Sequence, residues 1–548
     1  MGNSNGNIHL YWEAFYSSKY PRLQGGFIWD MVDQGLRKVC PSTGRKYFGY
    51  GGDFGDKVND AQFCINGIFS PDREPHPSVY EIKYLQQPIQ MLSKSTSLLD
   101  DAISVVVTFI KSDDISYLLW DRLECIWTLH EMRGTKNVGE NCIIRKENGQ
   151  NLSVTITLSK ELLKHDSIGW LSFRWDCCEE DKKEWQTTTL IANGQIQIGE
   201  NKYVSSSGAL KQTSAITTFR RTEDSVEIWT EGDGGNSNRR TAVVSASDGL
   251  LTSFLARNGL EVLVSPLRFN VTRAFTDNDR GGIDRMKYLM PRWVGWKLSL
   301  VENMVSNKSY SYWWRRAGLD PSLPPRSKCT KLEVKKDGND IIVQVENDII
   351  SSSTKSSIAK QTIEYTFFPR CAVMVRAKTA ISNRMKGVVS IPRIGFSGQI
   401  DKSFCKIEYF GRGPYENYCD RKQASEMRTW VTTASKMGYE YIVPSENGNR
   451  SDCLYASFCD NASNGFTVVA KNDVMPFQFS ALLHSQKEIH EATHTHNLDE
   501  RADGFDPIFV SIDSHHMGIG GDVGWSPCVY PPYLLKPQPD GNTYYTTE

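Results

Sequence analysis

At 548 residues, with 63 Lys and Arg against 64 Asp and Glu, the chain is long enough for several hydrophobic cores and is nearly neutral. That balance gives no electrostatic reason to expect nucleic acid or an anionic membrane as partner. The longest apolar runs are too short to cross a bilayer and no basic-then-apolar leader opens the sequence, so a globular protein working in water is expected.

The first residues, MGNSNGN, carry a G-x-S-x-G spacing at Gly2–Gly6. A nucleophile elbow needs a buried strand in front of its serine, and none precedes Ser4. The polar run reads instead as a loop and helix cap, with Asn5 or Asn7 as cap for a helix over Ile8–Phe15. Gly25–Val32 is apolar enough for a strand buried on both faces. Loop text rich in Gly and Asp follows, and Ser78-Val79-Tyr80-Glu81 supplies a capping-box pattern for a closing helix. Residues 1–88 therefore read as the last units of a (β/α)8 barrel, and such a remnant cannot close a barrel alone. Loose attachment of this segment is expected, because its edges and apolar faces lack partners.

From Ile89 the hydrophobic period switches to two. Ala102–Ile110, Leu152/Val154/Ile156/Leu158 and Leu171/Phe173/Trp175 alternate, and Asn193-Gly194 signals a hairpin turn. Residues 89–220 are expected to form an immunoglobulin-like β-sandwich that links its neighbours. Residues 221–548 continue β-rich, with a second hairpin signal at Asp337-Gly338 between Leu332/Val334 and Ile341/Val343/Val345. The run Ser351–Ser357 reads as a low-complexity loop. The fold class is thus mainly β with an α/β remnant.

Aromatic residues are plentiful, with 14 Trp, 23 Tyr and 23 Phe, and such rings fill sandwich cores or stack on sugars. The 13 cysteines lack any C-x-x-C pair, which argues against zinc and against a disulfide framework, and a reducing, cytoplasmic setting is expected. Cys177-Cys178 reads as two strand neighbours facing opposite ways. The sequons at Asn151 and Asn270 would suit secretion, but Asn- and Ser-rich text supplies them by chance. His490, His494, His496 and the pair His515-His516 lack the acidic partners of a metal site and are expected to be structural.

Three blocks carry a family resemblance. They are PRLQGGFIWDMVDQGL with YGGDFGDKVNDAQFCINGIFSPDREPHP, then YFGRGPYENYCDRKQA with YIVPSENGNRSD, and last SHHMGIGGDVGWSPCV. In this order they resemble the C-terminal half of a glycoside hydrolase family 2 β-galactosidase of the bacterial lactose-cleaving type, over nearly the whole chain. The resemblance implies the end of the catalytic barrel, an immunoglobulin-like linker and a large β-sandwich reaching back to the active site.

It further implies that the two glutamates of a retaining mechanism, which stand about 5 Å apart, lie upstream of Met1, so that this chain holds no catalytic carboxylate and is inactive alone. Trp29 resembles the tryptophan that lines the galactose pocket, although taken alone it would read as a core residue. Phe63 and Asn66 resemble the backbone and side-chain oxygen donors to a Na⁺ or K⁺ beside the sugar, and Asn59 resembles an asparagine near a Mg²⁺-linked site. Taken alone, Asn59 and Asn66 would be turn residues. Ala61 stands where the family pattern commonly has arginine. Trp525 resembles the platform for the second sugar.

The segment from Asp277 resembles the start of a loop that closes over galactose, whereas Ile283–Tyr312 has no family counterpart and the tail from Pro531 departs from an expected strand. β-Galactoside sugars are the implied partners, together with a homo-oligomer or complementation by an N-terminal part. The alternative from another class is a non-catalytic carbohydrate-binding or assembly module docking on a complementary N-terminal chain. A serine hydrolase is a third, weaker reading.

Overall fold

The computed structural model describes residues 3–99, 102–112, 120–131, 134–136, 142–146, 151–159, 169–177, 190–198, 216–230, 239–281, 309–369, 371–470, 476–522, 527–537 and 544–547. The readings of Cys178 and Trp525, and that of residues 283–308, fall outside these residues. Among the described residues no helix is long and apolar enough to cross a membrane, and no disulfide joins the cysteines.

Two four-stranded antiparallel sheets pack into one sandwich after residue 88. One runs in the order Ile89–Leu98, Ala102–Lys111, Asn151–Ser159, Cys142–Lys146. The other runs Leu190–Ile198, Gly169–Cys177, Leu123–Glu131, Gly134–Lys136. Alternation places Val105, Val107, Val154 and Ile156 of the first sheet against Leu171, Phe173 and Trp175 of the second, all buried in one core.

The hairpin expected at Asn193-Gly194 does not form. Both residues lie inside an edge strand, paired with Arg174 and Phe173. The Gln87 side chain occupies the open edge, accepting from Asn193 N at 2.9 Å and donating to its carbonyl at 2.8 Å, so a side-chain amide stands in for a neighbouring strand. Sandwich packing overrides the local turn signal.

Beyond residue 216 the described residues form four more antiparallel sheets, which share one main core as a large sandwich. A five-stranded one takes Arg326–Asp337, Asp340–Ile350, Ser357–Phe368, Ala372–Ile381 and Tyr544–Thr547 in that order. The Asp337-Gly338 hairpin is present, with Asp337 opposite Asp340 and Gly338 at φ +58°. The tail does supply a last strand, since Tyr544–Thr547 pairs with Ala377–Ala380. A second five-stranded sheet, Leu263–Asn270, Arg393–Ile400, Ile508–His516, Phe477–Leu482 and Arg450–Cys453, shares the main core with strands of the other sheets. Asn270 is buried and bonded to Thr272 and Gln486, so its sequon cannot take a glycan.

The first segment has two helices, Ile8–Tyr16 and Pro77–Leu85. Asn7 is the cap position of the first, but its backbone is left-handed (φ 65°) and its amide donates to the Cys528 carbonyl, so it caps by place and not by side chain. The second helix starts with Pro77 at its first turn after His76, and no capping box forms. Glu81 has other work: it is buried and accepts from the amides of Gln423 and Ala424 at 3.0 and 2.9 Å.

The expected buried strand at Gly25–Val32 is also absent. Phe27 is 104% exposed, Trp29 78% and Met31 61%. The backbone of the run bonds along Asn66–Phe69, through Asp30 N to Asn66 O and Phe69 N to Met31 O. An apolar run is buried only where sheets flank it, and among the described residues no strand lies on its other side.

The opposite side of the segment makes close contacts with the rest of the chain. Tyr80 stacks on Tyr415 at 3.5 Å, His494 bonds Asp53 at 2.8 Å and stacks on Tyr50, and Arg45 reaches the His496 carbonyl.

Candidate sugar pocket

A cavity of about 360 Å³ opens between the first segment and the large sandwich. Helix Ile8–Tyr16 turns Tyr11, Trp12 and Phe15 towards it, and the exposed run adds Phe27 and Trp29. Asn66 and His76 enter from the loops after residue 64, and the large sandwich closes the far side with Tyr441–Val443 and Asp522. Aromatic walls with a few polar groups suit a ligand that has apolar C–H faces and a hydroxyl rim.

Residues 3–7 anchor this wall inside the sandwich. Asn3 is fully buried and donates to the Glu446 carbonyl at 2.6 Å, while its own oxygen accepts from Arg421 at 2.8 Å. Gly6 N donates to Gly520 O, and a Cβ on Gly6 would sit 2.2 Å from Asp420 Oδ2, so only glycine fits there. Ser4 Oγ accepts from Asn278 N at 2.9 Å, which occupies the supposed nucleophile with a structural bond.

Trp29 presents its indole at the cavity, where a ring this exposed is a wall and not a core residue. Asn66 spends its carbonyl on Asp30 N, while its side-chain Oδ1 is buried and accepts no hydrogen bond among the described residues. Such an orphan acceptor costs about 1–3 kcal/mol unless a ligand or ion engages it, and a hard amide oxygen suits Na⁺ or K⁺ by the logic that suits it to Ca²⁺ and Mg²⁺.

Phe63 lies in the 3-10 turn Ala61–Cys64 just before it and is not on the cavity wall. Ala61 in that turn takes a left-handed φ of 49°. Asn59 is farther off: its oxygen accepts from Ala61 N at 3.0 Å and its amide donates to Asp56 O at 3.1 Å, the bonding of a turn residue. The structure therefore brings Trp29 and Asn66 together, keeps Phe63 adjacent in the chain and leaves Asn59 outside the cavity. Among the described residues no cluster of three or more His, Cys, Asp or Glu could hold a metal.

The candidate closing loop begins as a buried turn. Thr276 and Asp279 form a capping box, and Asp279 pairs with Arg273, both side chains fully buried. Gln62 donates to Asp277 at 3.1 Å, tying that turn to the segment that presents Asn66. The histidines are engaged elsewhere: His490 accepts from Phe275 N, and burial, with Arg280 and Arg315 nearby, holds its pKa down to about 3.

Two cavity carboxylates escaped sequence reasoning. Asp33 gives one oxygen to Gly67 N and the other to His76 Nε2, each at 2.8 Å. Asp522 is raised by partial burial, against the hydrogen bond it takes from Tyr11. Asp33 directly follows the apolar run Gly25–Val32, which by itself does not set it apart, and nothing local marked Asp522.

An aromatic cavity thus lies between the first segment and the large sandwich. Residues 236–546 match the family described as Beta galactosidase small chain, and residues 1–91 match Glycosyl hydrolases family 2, TIM barrel domain. A β-galactosidase of Pseudoalteromonas haloplanktis is 30% identical over 543 residues, and one of Vibrio cholerae serotype O1 is 31% identical over 536. Each match covers 98% of this chain and 46% of the relative, so the chain spans about half the length of these curated relatives. The chain belongs to the family 2 β-galactosidases.

Proposed function

We propose that this chain forms the C-terminal part of a retaining β-galactosidase acting on terminal β-D-galactosides, with residues 1–88, 89–220 and 221–548 as barrel end, linker and large sandwich. The observation that carries the reading is the buried, unbonded Asn66 Oδ1 lining one cavity with the exposed indole of Trp29. Trp29 would face the C–H side of galactose, and Asn66 with the Phe63 carbonyl would hold Na⁺ or K⁺ beside it. Trp525 would stack on the second sugar. A Mg²⁺ site, with Asn59 near it, would draw its main ligands from outside this chain.

Catalysis by retention needs two carboxylates about 5 Å apart. Asp33 is committed to His76 and Gly67, and Asp522 is joined to Tyr11, so neither offers a free nucleophile. We assign the catalytic glutamates to the portion of the relatives that this chain does not span. The chain alone is then inactive on an aryl β-galactoside, and a separately supplied N-terminal part restores turnover. Saturable turnover by the chain alone, free of host enzyme, would refute this.

The second reading, an assembly or sugar-binding module docking on a complementary N-terminal chain, is favoured by the exposed Phe27, Trp29 and Met31. Binding to such a chain without any turnover by the mixture would select it.

A further inference from the structure

We propose that His76 and Tyr441 are positioning residues for the pocket, carrying the placement of the large sandwich through Asp33 to the turn that presents Asn66. The inference rests on the reading of that pocket as a galactoside subsite.

The connection is continuous and buried. On the sandwich side, Glu416 accepts from Gly448 N at 2.7 Å and from Arg421 at 2.6 Å. The Tyr441 hydroxyl donates to the same carboxylate at 2.6 Å and lies 3.0 Å from Asn3 Oδ1. A phenol with one proton is thereby fixed by an anion that is itself clamped, so the ring has little freedom. That ring lies parallel to the His76 imidazole, 5.9 Å between centroids and 9° between planes, while Tyr439 meets the imidazole edge-on at 5.3 Å.

His76 Nε2 is 2.8 Å from Asp33 Oδ2, with side-chain exposures of 6% and 1%. The other Asp33 oxygen accepts from Gly67 N. Gly67 follows Asn66 directly and has no room for a side chain: a Cβ there would stand 2.1 Å from Asp33 N and 2.3 Å from Val32 C. The Asn66 carbonyl in turn takes Asp30 N, beside Trp29. One carboxylate thus ties the turn of both pocket residues to a histidine whose ring packs against the sandwich rings of Tyr439 and Tyr441.

The test uses the full 548-residue chain and two readouts. Hydrogen exchange of the peptide spanning residues 62–69 reports the turn directly. His76→Ala is expected to speed its exchange about tenfold or more, as loss of a hydrogen bond to a charged group implies, and His76→Gln, which keeps an N–H donor, to restore part of the protection. Tyr441→Phe keeps the ring and should act less than Tyr441→Leu. Exchange in strand Gly169–Cys177 should stay at the parent rate. Unchanged exchange at 62–69 in both His76→Ala and Tyr441→Leu, or a rise spread equally over that strand, would overturn the proposal.

The second readout is titration of a thio-β-galactoside by tryptophan fluorescence. Affinity should fall in His76→Ala and return in part with His76→Gln, a rescue that general destabilisation would not give. If the parent does not bind the thiogalactoside, the subsite reading fails, while the exchange result still decides the coupling.

Discussion

The run Gly25–Val32 and the strand Gly169–Cys177 are equally apolar to the eye, yet one is bare and the other sealed. Phe27 stands in solvent, whereas Phe173 is fully buried between two sheets. The second strand has a partner on each edge, Leu190–Ile198 and Leu123–Glu131, and a neighbour on each face. Its inner residues meet Val105 and Val107, and its Trp170 packs on Phe410 of the large sandwich at 5.2 Å. The first run has one bonded edge and no covering sheet among the described residues. Burial is therefore a property of the assembly around a strand, and hydrophobicity along the sequence states only a demand for it.

The largest expected effect tests the sealed side. Phe173→Ala should destabilise the chain by about 3–5 kcal/mol through lost transfer energy and the cavity left behind, read as a lower urea midpoint with unchanged slope. A cost below about 1 kcal/mol would mean that this core collapses around the gap, and the contrast with the bare run would lose its basis.

The same contrast governs charge. The sandwich seals Arg393, Glu446, Asp513 and His516 together, with Arg393 Nη2 2.8 Å from Glu446 and Arg393 Nε 3.5 Å from Asp513. Burial, against the pull of Arg393, pushes the Asp513 carboxyl up to about 7. Burial, with Arg393 adding to it, pushes His516 down to about 4. Between pH 4 and 7 the folded chain keeps a proton on Asp513 that the unfolded chain has released, so this group makes stability fall as pH rises. Between pH 4 and 6.5 the unfolded chain binds a proton at His516 that the folded chain refuses, so stability rises with pH, and the two slopes oppose. Asp513→Asn removes only the first. Its stability relative to the parent should therefore grow with pH by up to about 1.4 kcal/mol per unit over that window. Parallel profiles in urea titrations would show that Asp513 is ionised in the fold.

Much of this was legible beforehand and some was not, for physical reasons. Period-two alternation identified Ala102–Lys111 and Asn151–Ser159 because the facing sheet that buries their inner side chains lies in the same chain. The same reasoning failed at Gly25–Val32, where the chain supplies no second neighbour among the described residues, and at Asn193-Gly194, where sheet pairing and the Gln87 amide outweigh turn chemistry. Trp29 and Asn66 could be nominated from their motifs. Their connection through Asp33, His76 and Tyr441 joins residues hundreds of positions apart, which no local pattern encodes. Ser78 and Glu81 have capping-box spacing, yet Glu81 is drawn into the sandwich instead.

A smaller effect belongs to the boundary between the two regimes. Trp29→Ala removes one wall of the cavity while leaving every core intact, so thiogalactoside affinity should fall by about 1–2 kcal/mol, taking aromatic contact energies as a guide. The urea midpoint should not move. A shift in midpoint with affinity unchanged would make Trp29 a packing residue and transfer the pocket wall to Tyr11, Trp12 and Phe15.

The smallest effect is the sharpest for the contrast with Phe173. Phe27→Ala makes the same chemical change on a ring that is fully exposed, so no transfer energy is lost and no cavity opens. The unfolding free energy should stay within about 0.5 kcal/mol of the parent, as for surface substitutions away from special features. The variant should bind less of a hydrophobic dye than the parent, because one ring leaves an apolar surface that Trp29, Met31 and Leu36 continue. Adding the complementary N-terminal part supplies the missing comparison. If that part covers the run, Phe27→Ala should weaken association by about 1.5–3 kcal/mol, the worth of burying such a side chain. Destabilisation of 2 kcal/mol or more in the chain alone would mean that Phe27 is already covered, and that the bare run and the sealed strand do not differ.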